Sequence, residues 1–282
     1  MPNYKDAIER EKISKEYTEN YKNEVVKGSY ALDNDFLRLP KNISDVQPLK
    51  LLGLILSKLE YKKDNRDVSG NVIIECSMNE IMKTCGADPK QKNYAYYKGV
   101  AKVLIEKSLV DGEIDGEDIF GPVFGPTRAK LSEDGYMKFK INSEFLPYFQ
   151  MLSSNYTIIQ LQETKNLKSK ASYFLYMNLL SWTNEPYKEY VRFYTTNQLR
   201  ALFELSDKDY MRKKGGFNRF EFEKKVVNKA VEEINEKTSL KVEYIKTYVG
   251  KEVANYRFSF IYRNDFDIRG RKQGIEVTEI SE

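Results

Sequence analysis

The sequence repeats one order of elements twice: an apolar helix, a short strand, two further helices and a β-hairpin. In the first half, the apolar run LKLLGLILSKLEY precedes a strand and a helix that a capping box, Ser77 and Glu80, opens. In the second half, KSKASYFLYMNLLSW precedes a strand and a second capping box, Thr195 and Gln198. A helix-turn-helix followed by a β-hairpin is a winged helix. The sequence therefore predicts an α+β fold of two tandem winged-helix domains.

The length of 282 residues accommodates two domains of ordinary size. We predict a charged N-terminal arm at residues 1–29, a first winged-helix domain at 30–152, a second at 153–264 and a C-terminal tail at 265–282. Pro48 is predicted at the first position of the apolar helix of the first domain. That helix and the tyrosine-rich helix after it offer apolar surface, which predicts self-association and auxiliary DNA contact through this domain.

The composition excludes several classes of function. Hydrophobic residues make up 41% of the chain, but no run approaches the ~18 residues of a membrane span, and the N-terminus lacks the apolar region of a signal peptide. The absence of histidine excludes serine-type triads and His-rich metal sites, and no P-loop sequence occurs. Cys76 and Cys85 are too few for a metal cage or a disulfide framework. We therefore expect a soluble cytoplasmic protein that is not an enzyme, with no catalytic residue, cofactor or metal.

The helix predicted at residues 217–237 has two different sides. Its apolar side is predicted to hold Val226, Val227, Ala230, Val231 and Ile234. The net charge is only +4, so a nucleic-acid surface has to be a local patch, and the polar side of this helix offers donors suited to phosphates and base edges. The candidate DNA-binding residues on this helix, before it and in the turn of the following hairpin are Arg212, Lys213, Lys214, Asn218, Arg219, Lys224, Lys225, Asn228, Lys229, Lys246 and Lys251.

A lysine-rich outer face is also typical of a solvated helix. The basic residues before the helix, the basic hairpin turn and the helix-turn-helix order favour nucleic-acid binding instead. The first unit carries a weaker version of the same surface, with Lys92 and Lys98 as candidate DNA contacts. Its lysines are interleaved with tyrosines, for which three roles are open: stacking on sugars, packing in an interface or belonging to the core. These residues are Lys90, Lys92, Lys98, Lys102, Tyr94, Tyr96 and Tyr97.

The second unit resembles the iteron-binding, theta-type plasmid replication initiators, which are Rep proteins with two winged-helix domains. The similarity covers about residues 30–263 and is most specific at 155–260. The segments that carry it are Tyr156-Thr157, Leu161, Glu163-Thr164-Lys165, Ser172 to Tyr176, Leu179-Leu180, Phe222 to Val226, Glu233 to Thr238, Gly250-Lys251 and Phe258 to Phe260.

The resemblance implies that the long helix enters the major groove of double-stranded DNA carrying directly repeated origin sequences, with Lys224, Lys225 and Lys251 among its contacts. It implies a homodimer in equilibrium with a monomer, opening of an adjacent A·T-rich segment, recruitment of a host helicase or helicase loader, and repression of the protein's own gene through an inverted repeat. The family has a run of arginines where this chain has Glu223-Lys224-Lys225, so bidentate guanine readout by arginine is absent at these positions, and lysine gives a less directional contact. Phe174 also replaces an arginine that is frequent in the family.

Two other functions are compatible with the same residues. One is a winged-helix transcriptional repressor or phage replication organiser without origin-opening activity. The other is an interaction scaffold in which both units serve assembly. Direct repeats beside an A·T-rich stretch in the flanking DNA favour the initiator over both.

Overall fold

The structure is a computed structural model, and it describes residues 29–38, 43, 45–59, 66–86, 93–114, 116–149, 156–183, 187–213 and 215–263. The predicted N-terminal arm up to residue 28 and the predicted tail at 265–282 lie outside these ranges. Lys90, Lys92 and Lys214, which belong to the predicted DNA-binding surfaces, also lie outside them.

The first unit follows the predicted order, with an additional hairpin before its last strand. The predicted capping box is confirmed: the Glu80 N–H donates to Ser77 Oγ over 3.2 Å, and the Ser77 N–H donates to Glu80 Oε2 over 2.8 Å. The elements of this unit are β1 Ser29–Asp33, α1 Asn34–Arg38, α2 Val46–Ser57, β2 Val72–Ser77, α3 Met78–Thr84, α4 Tyr94–Lys107, β3 Leu109–Ile114, β4 Glu117–Pro122, β5 Arg128–Lys130, β6 Tyr136–Ile141 and a 3-10 helix Ser143–Tyr148.

Helix α2 is buried on all sides. It begins at Val46 with Asp45 as its N-cap, so the prediction that Pro48 is the first helical residue is wrong by two positions. Pro48 still lies in the first turn, where a missing N–H is tolerated. Every residue from Leu49 to Leu56 is buried. A helix that is apolar all round belongs to the core, so α2 does not offer the self-association surface that its sequence predicted.

Apart from β1, the strands of the first unit form two small sheets. β2 pairs antiparallel with β6, from Val72 opposite Ile141 to Ser77 opposite Tyr136, and β5 flanks β6. The strand predicted at Tyr136–Ile141 is confirmed. β3 and β4 form a separate two-stranded sheet. The hairpin β3–β4, which follows the helix-turn-helix, is thus not part of the sheet that β2, β6 and β5 form.

The second unit completes the same order with one continuous sheet, in which β8, β10 and β9 are adjacent in that order. The second capping box is confirmed, because the Thr195 N–H donates to Gln198 Oε1 over 2.8 Å and the Gln198 N–H donates to Thr195 Oγ1 over 3.2 Å. The elements are β7 Tyr156–Gln160, α5 Leu161–Asn166, α6 Lys170–Leu180, β8 Glu189–Tyr194, α7 Thr196–Leu202, α8 Arg219–Phe222, a π-helical segment Glu223–Val227, α9 Asn228–Lys237, β9 Leu240–Val249 and β10 Glu252–Tyr262.

Helix α8, the π-helical segment and α9 form one uninterrupted helix at residues 219–237, which we call the long helix. It begins at Arg219 rather than at Phe217, because Asn218 Oδ1 accepts a hydrogen bond from the Glu221 N–H and caps the helix. A π-helix bonds residue i to residue i+5. A wheel drawn at a constant 100° per residue is therefore valid only on each side of the segment Glu223–Val227.

A strand pair that the sequence did not predict joins the two units. β1 pairs antiparallel with β7, with Tyr30 opposite Ile159 and Leu32 opposite Thr157. The Tyr30 hydroxyl lies 3.2 Å from the Tyr173 hydroxyl on α6, and both rings are buried. Tyr30 packs so closely on α2 that a Cβ at Gly53 would lie 3.1 Å from its ring. The core therefore runs from one unit into the other through β1.

Candidate nucleic-acid interface

The long helix separates an apolar side from a polar side. Val226, Val227, Ala230 and Ile234 are buried, as predicted, whereas Val231 is only half-buried. Four predicted contact residues are exposed along the other side. These are Lys224, Lys225, Asn228 and Lys229. The apolar side packs on α6 and β9, so the exposed side faces away from its own domain.

The two adjacent lysines of this surface have different surroundings. Lys225 Nζ lies 2.6 Å from Glu221 Oε2, one helical turn earlier. This hydrogen bond raises the pKa of Lys225 and lowers the pKa of Glu221. Lys224 Nζ lies instead 5.9 Å from the centroid of the exposed Phe220 ring, within the range of a cation–π contact. The positive charge at Lys225 is partly compensated, and Lys224 is the more available of the two cations.

Residues before the helix are placed by the loop that leads into it. Arg212 and Lys213 are exposed in a turn in which the Gly215 N–H donates to the Arg212 carbonyl over 2.9 Å. Asn218 is half-buried and uses its side-chain oxygen as the N-cap, so only its amide NH₂ remains as a donor for DNA. Arg219 is half-buried, and its buried Nε has no hydrogen-bond acceptor within the described part of the chain.

The hairpin β9–β10 is shorter at its turn and longer in its strands than predicted. Gly250, with φ +61°, and Lys251 form the turn, and Lys251 is exposed there. Lys246 lies inside β9, opposite Tyr256, so its predicted place in the turn is wrong. Its ammonium group donates to Glu223 Oε2 on the long helix over 3.0 Å, and this hydrogen bond raises the pKa of Lys246. Lys246 therefore connects the hairpin to the helix.

Two further contacts attach the hairpin to the long helix. The Tyr256 hydroxyl donates to Glu223 Oε1 over 2.8 Å, and burial together with this hydrogen bond raises the pKa of Tyr256. The Tyr244 hydroxyl donates to Asn228 Oδ1 over 2.6 Å. Asn228 thus keeps only its NH₂ group for an outside acceptor. These hydrogen bonds fix the position of the hairpin relative to the long helix in the absence of a ligand.

The basic surface of the first unit is smaller. Lys98 and Lys102 are exposed on α4, one turn apart. Of the interleaved tyrosines, Tyr97 is buried in the core, Tyr94 is half-buried and Tyr96 is exposed with its ring in edge contact with Tyr97. The interpretation of the tyrosines as partly core is confirmed for Tyr97.

Sequence reasoning missed Glu223 and Phe220. Glu223 is not among the candidate site residues that the sequence singles out, yet its side chain is only 12% exposed and accepts two hydrogen bonds from the hairpin. Phe220 is 66% exposed, whereas Phe222 is fully buried. The spacing was a usable signal, because residues two apart on a helix do not share a face. In the described ranges, no cluster of acidic and cysteine side chains could hold a metal ion, and no helix is long and apolar enough to cross a membrane.

Comparisons with known proteins agree with this architecture. Residues 20–180 match the family described as Initiator Replication protein, WH1, and residues 195–260 match the family described as Initiator Rep protein, WH2. No curated protein sequence matches the chain.

Two solved structures are similar in fold. One is described as the crystal structure of Pi initiator protein in complex with iteron DNA. It has 17% sequence identity and a TM-score of 0.64, over 85% of this chain and 99% of that one. The other contains domains 2 and 3 of RctB, at 12% identity and a TM-score of 0.46, over 81% of this chain and 86% of that one. The first likeness confirms the fold of two winged-helix domains.

Proposed function

The chain belongs to the initiator Rep protein family, and from this premise we propose that it is a sequence-specific DNA-binding replication initiator. The DNA it recognises consists of direct repeats at a plasmid or phage origin. In support, the solved protein with the similar fold is an initiator whose described partner is iteron DNA.

One observation carries the proposal: the second helix of the second helix-turn-helix presents an exposed row of lysine and asparagine side chains opposite its buried apolar side. In helix-turn-helix proteins the second helix lies in the major groove. Lys224, Lys229 and the NH₂ group of Asn228 supply donors for phosphates and base edges. Arg212 and Lys213 lie in the loop before the long helix, Lys251 lies in the hairpin turn, and these three residues contact the flanking phosphates.

The two units have different roles. The domain at 153–264 is the principal DNA-binding domain, and the domain at 30–152 adds contacts through Lys98 and Lys102 and carries self-association. Because α2 is buried, the surface of the first unit that suits self-association is the hairpin β3–β4, where Leu109 and Phe120 are exposed. The monomer binds direct repeats, and the dimer binds an inverted repeat and represses the protein's own gene.

The action of the protein is binding rather than catalysis. Several copies on adjacent repeats bend the duplex and favour opening of a neighbouring A·T-rich segment, because the interactions with many phosphates offset the energy of deformation. The opened segment and the bound copies then recruit a host helicase or helicase loader. Opening of the A·T-rich segment would make its thymines react with a reagent specific for unpaired thymine. A protein that binds the repeats without this effect would instead be a repressor or a replication organiser.

The test is the salt dependence of binding to the origin repeat. Replacing Lys224 and Lys225 together by alanine is expected to weaken binding and to lower the slope of log K against log salt by about 0.9 for each phosphate that the variant no longer neutralises. Lys237→Ala is the matched control, since Lys237 lies on the same helix but at its far end and pairs with Glu236. Wild-type affinity and slope in the double variant would contradict the assignment of this helix.

A further inference from the structure

An exposed aromatic ring, that of Phe220, lies beside the Lys224 ammonium group in the first part of the long helix. Phe220 is the second residue of α8 and is 66% exposed. Its neighbours Phe217 and Phe222 already supply the core: their ring centroids lie 5.4 Å apart, and Phe222 also packs on Phe203 and Tyr210. The domain therefore has an aromatic side chain at this place that its own packing does not use.

The surroundings of Phe220 indicate what it meets. Arg219 precedes it, and the Lys224 ammonium group lies 5.9 Å from its ring centroid. An exposed apolar ring with a cation beside it suits a partner that is strongly negative and yet carries a local apolar group. DNA has this combination, because thymine places a methyl group in the major groove between the phosphate backbones.

The position of Phe220 on the helix agrees with such a contact. In helix-turn-helix proteins, the N-terminal residues of the second helix contact the base edges, whereas the later residues lie nearer the backbone. A phenyl ring has no hydrogen-bonding group, so it cannot distinguish bases by donors and acceptors. Among the four bases, only thymine offers such a ring a methyl group in the major groove. We infer that Phe220 is a specificity-determining residue that recognises thymine through its 5-methyl group.

This inference rests on the proposed function and deepens it. The DNA probe is the tightest-binding duplex selected from a random library by the full-length wild-type chain, prepared once with thymine and once with uracil in place of every thymine. Uracil pairs like thymine but lacks the methyl group. For the wild type, the change to uracil is expected to weaken binding about fourfold for each methyl group buried against the ring.

Phe220→Ala is expected to bind the thymine and uracil duplexes with equal affinity, and Phe220→Leu to retain part of the preference. Ile245→Ala is the matched control, since Ile245 is an exposed apolar residue on β9 and its removal should leave the preference unchanged. Because Phe220 is exposed, the thermal unfolding of the alanine variant should equal that of the wild type.

Each other result overturns the inference in a recognisable way. A wild type that binds both duplexes equally, or an alanine variant that keeps the preference, shows that Phe220 does not recognise the methyl group, while DNA binding itself stands. An alanine variant that changes only the sedimentation of the free protein assigns Phe220 to a protein contact. Failure of the wild type to select any specific duplex overturns the proposed function, and this inference with it.

Discussion

The two units share one order of elements but differ in how the hairpin is attached to the second helix. In the second unit, Glu223, Asn228 and Asn235 of the long helix all bond to the hairpin, the last through both backbone groups of Val242. In the first unit, the strands after α4 are divided between two sheets. The same order of elements in the sequence therefore does not imply that the hairpin is attached equally firmly to the second helix in both units. The unit with more of the candidate DNA contacts is also the one whose helix and hairpin are held together.

The largest effect tests whether the apolar side of the long helix holds the second unit together. Val227 is fully buried, so Val227→Asp places an unpaired charge in the core and should destabilise the unit by about 3–5 kcal/mol. Lys229→Asp introduces the same residue on the exposed side of the same helix and should change stability by less than about 0.5 kcal/mol. Urea denaturation followed by circular dichroism measures both. Equal effects would show that the helix does not have one buried and one exposed side.

A smaller effect tests the attachment of the hairpin. Glu223→Ala removes the acceptor of both Tyr256 and Lys246, and leaving the buried O–H donor of Tyr256 without this acceptor should cost about 1–3 kcal/mol. Glu223→Gln keeps an acceptor oxygen and should recover part of this stability. Glu106→Ala, on the exposed side of α4, is the control from the first unit and should be close to neutral. If Glu223→Ala is equally neutral, the hydrogen bonds that attach the hairpin to Glu223 do not stabilise the second unit.

Alkaline pH tests the strand pair between the units. Burial raises the pKa of Tyr30 from 10.0 to about 12, and it also raises the pKa of Tyr173. A tyrosine whose pKa is raised in the folded state stabilises that state fully below pH 10.0, and this stability is lost as pH rises towards about 12. The melting temperature should therefore fall above pH 10.0. Tyr30→Phe should make this fall shallower, and an unchanged profile would contradict the role of the pair.

The smallest effect compares the two basic surfaces directly. Lys98 and Lys102 lie on the unit whose hairpin is separate, so their double alanine variant should weaken repeat binding less than the double alanine variant of Lys224 and Lys225. Fluorescence anisotropy at several salt concentrations measures both, and the slope should fall by no more than about 0.9 for each lysine. A larger decrease in affinity from the first pair would reverse the assignment of the principal DNA-binding domain.

The parts that the sequence predicted correctly are those set by local rules. Both capping boxes are confirmed, because a capping box needs only residues three positions apart. The pairing of β1 with β7 was missed, since nothing local marks Tyr30 and Ile159 as partners. Lys246 was misplaced because alternation does not fix where a strand ends. Phe220 was overlooked because the helix was judged by its charges, although its separation from Phe222 already placed it on another side.

The π-helical segment at Glu223–Val227 determines how the proposed DNA-contacting surface responds to a change in chain length. The wide turn holds one residue more than an α-helical turn, so it takes up this residue without changing the side of the helix on which Phe220 lies relative to Ala230 and Ile234. Deleting one residue there would restore α-helical bonding while leaving Phe220 on the side of the helix that it now occupies. The apolar residues of α9 would keep their places in the core. The deletion of a single codon in this segment would thus shorten the helix by one residue without re-aiming the proposed DNA-contacting surface.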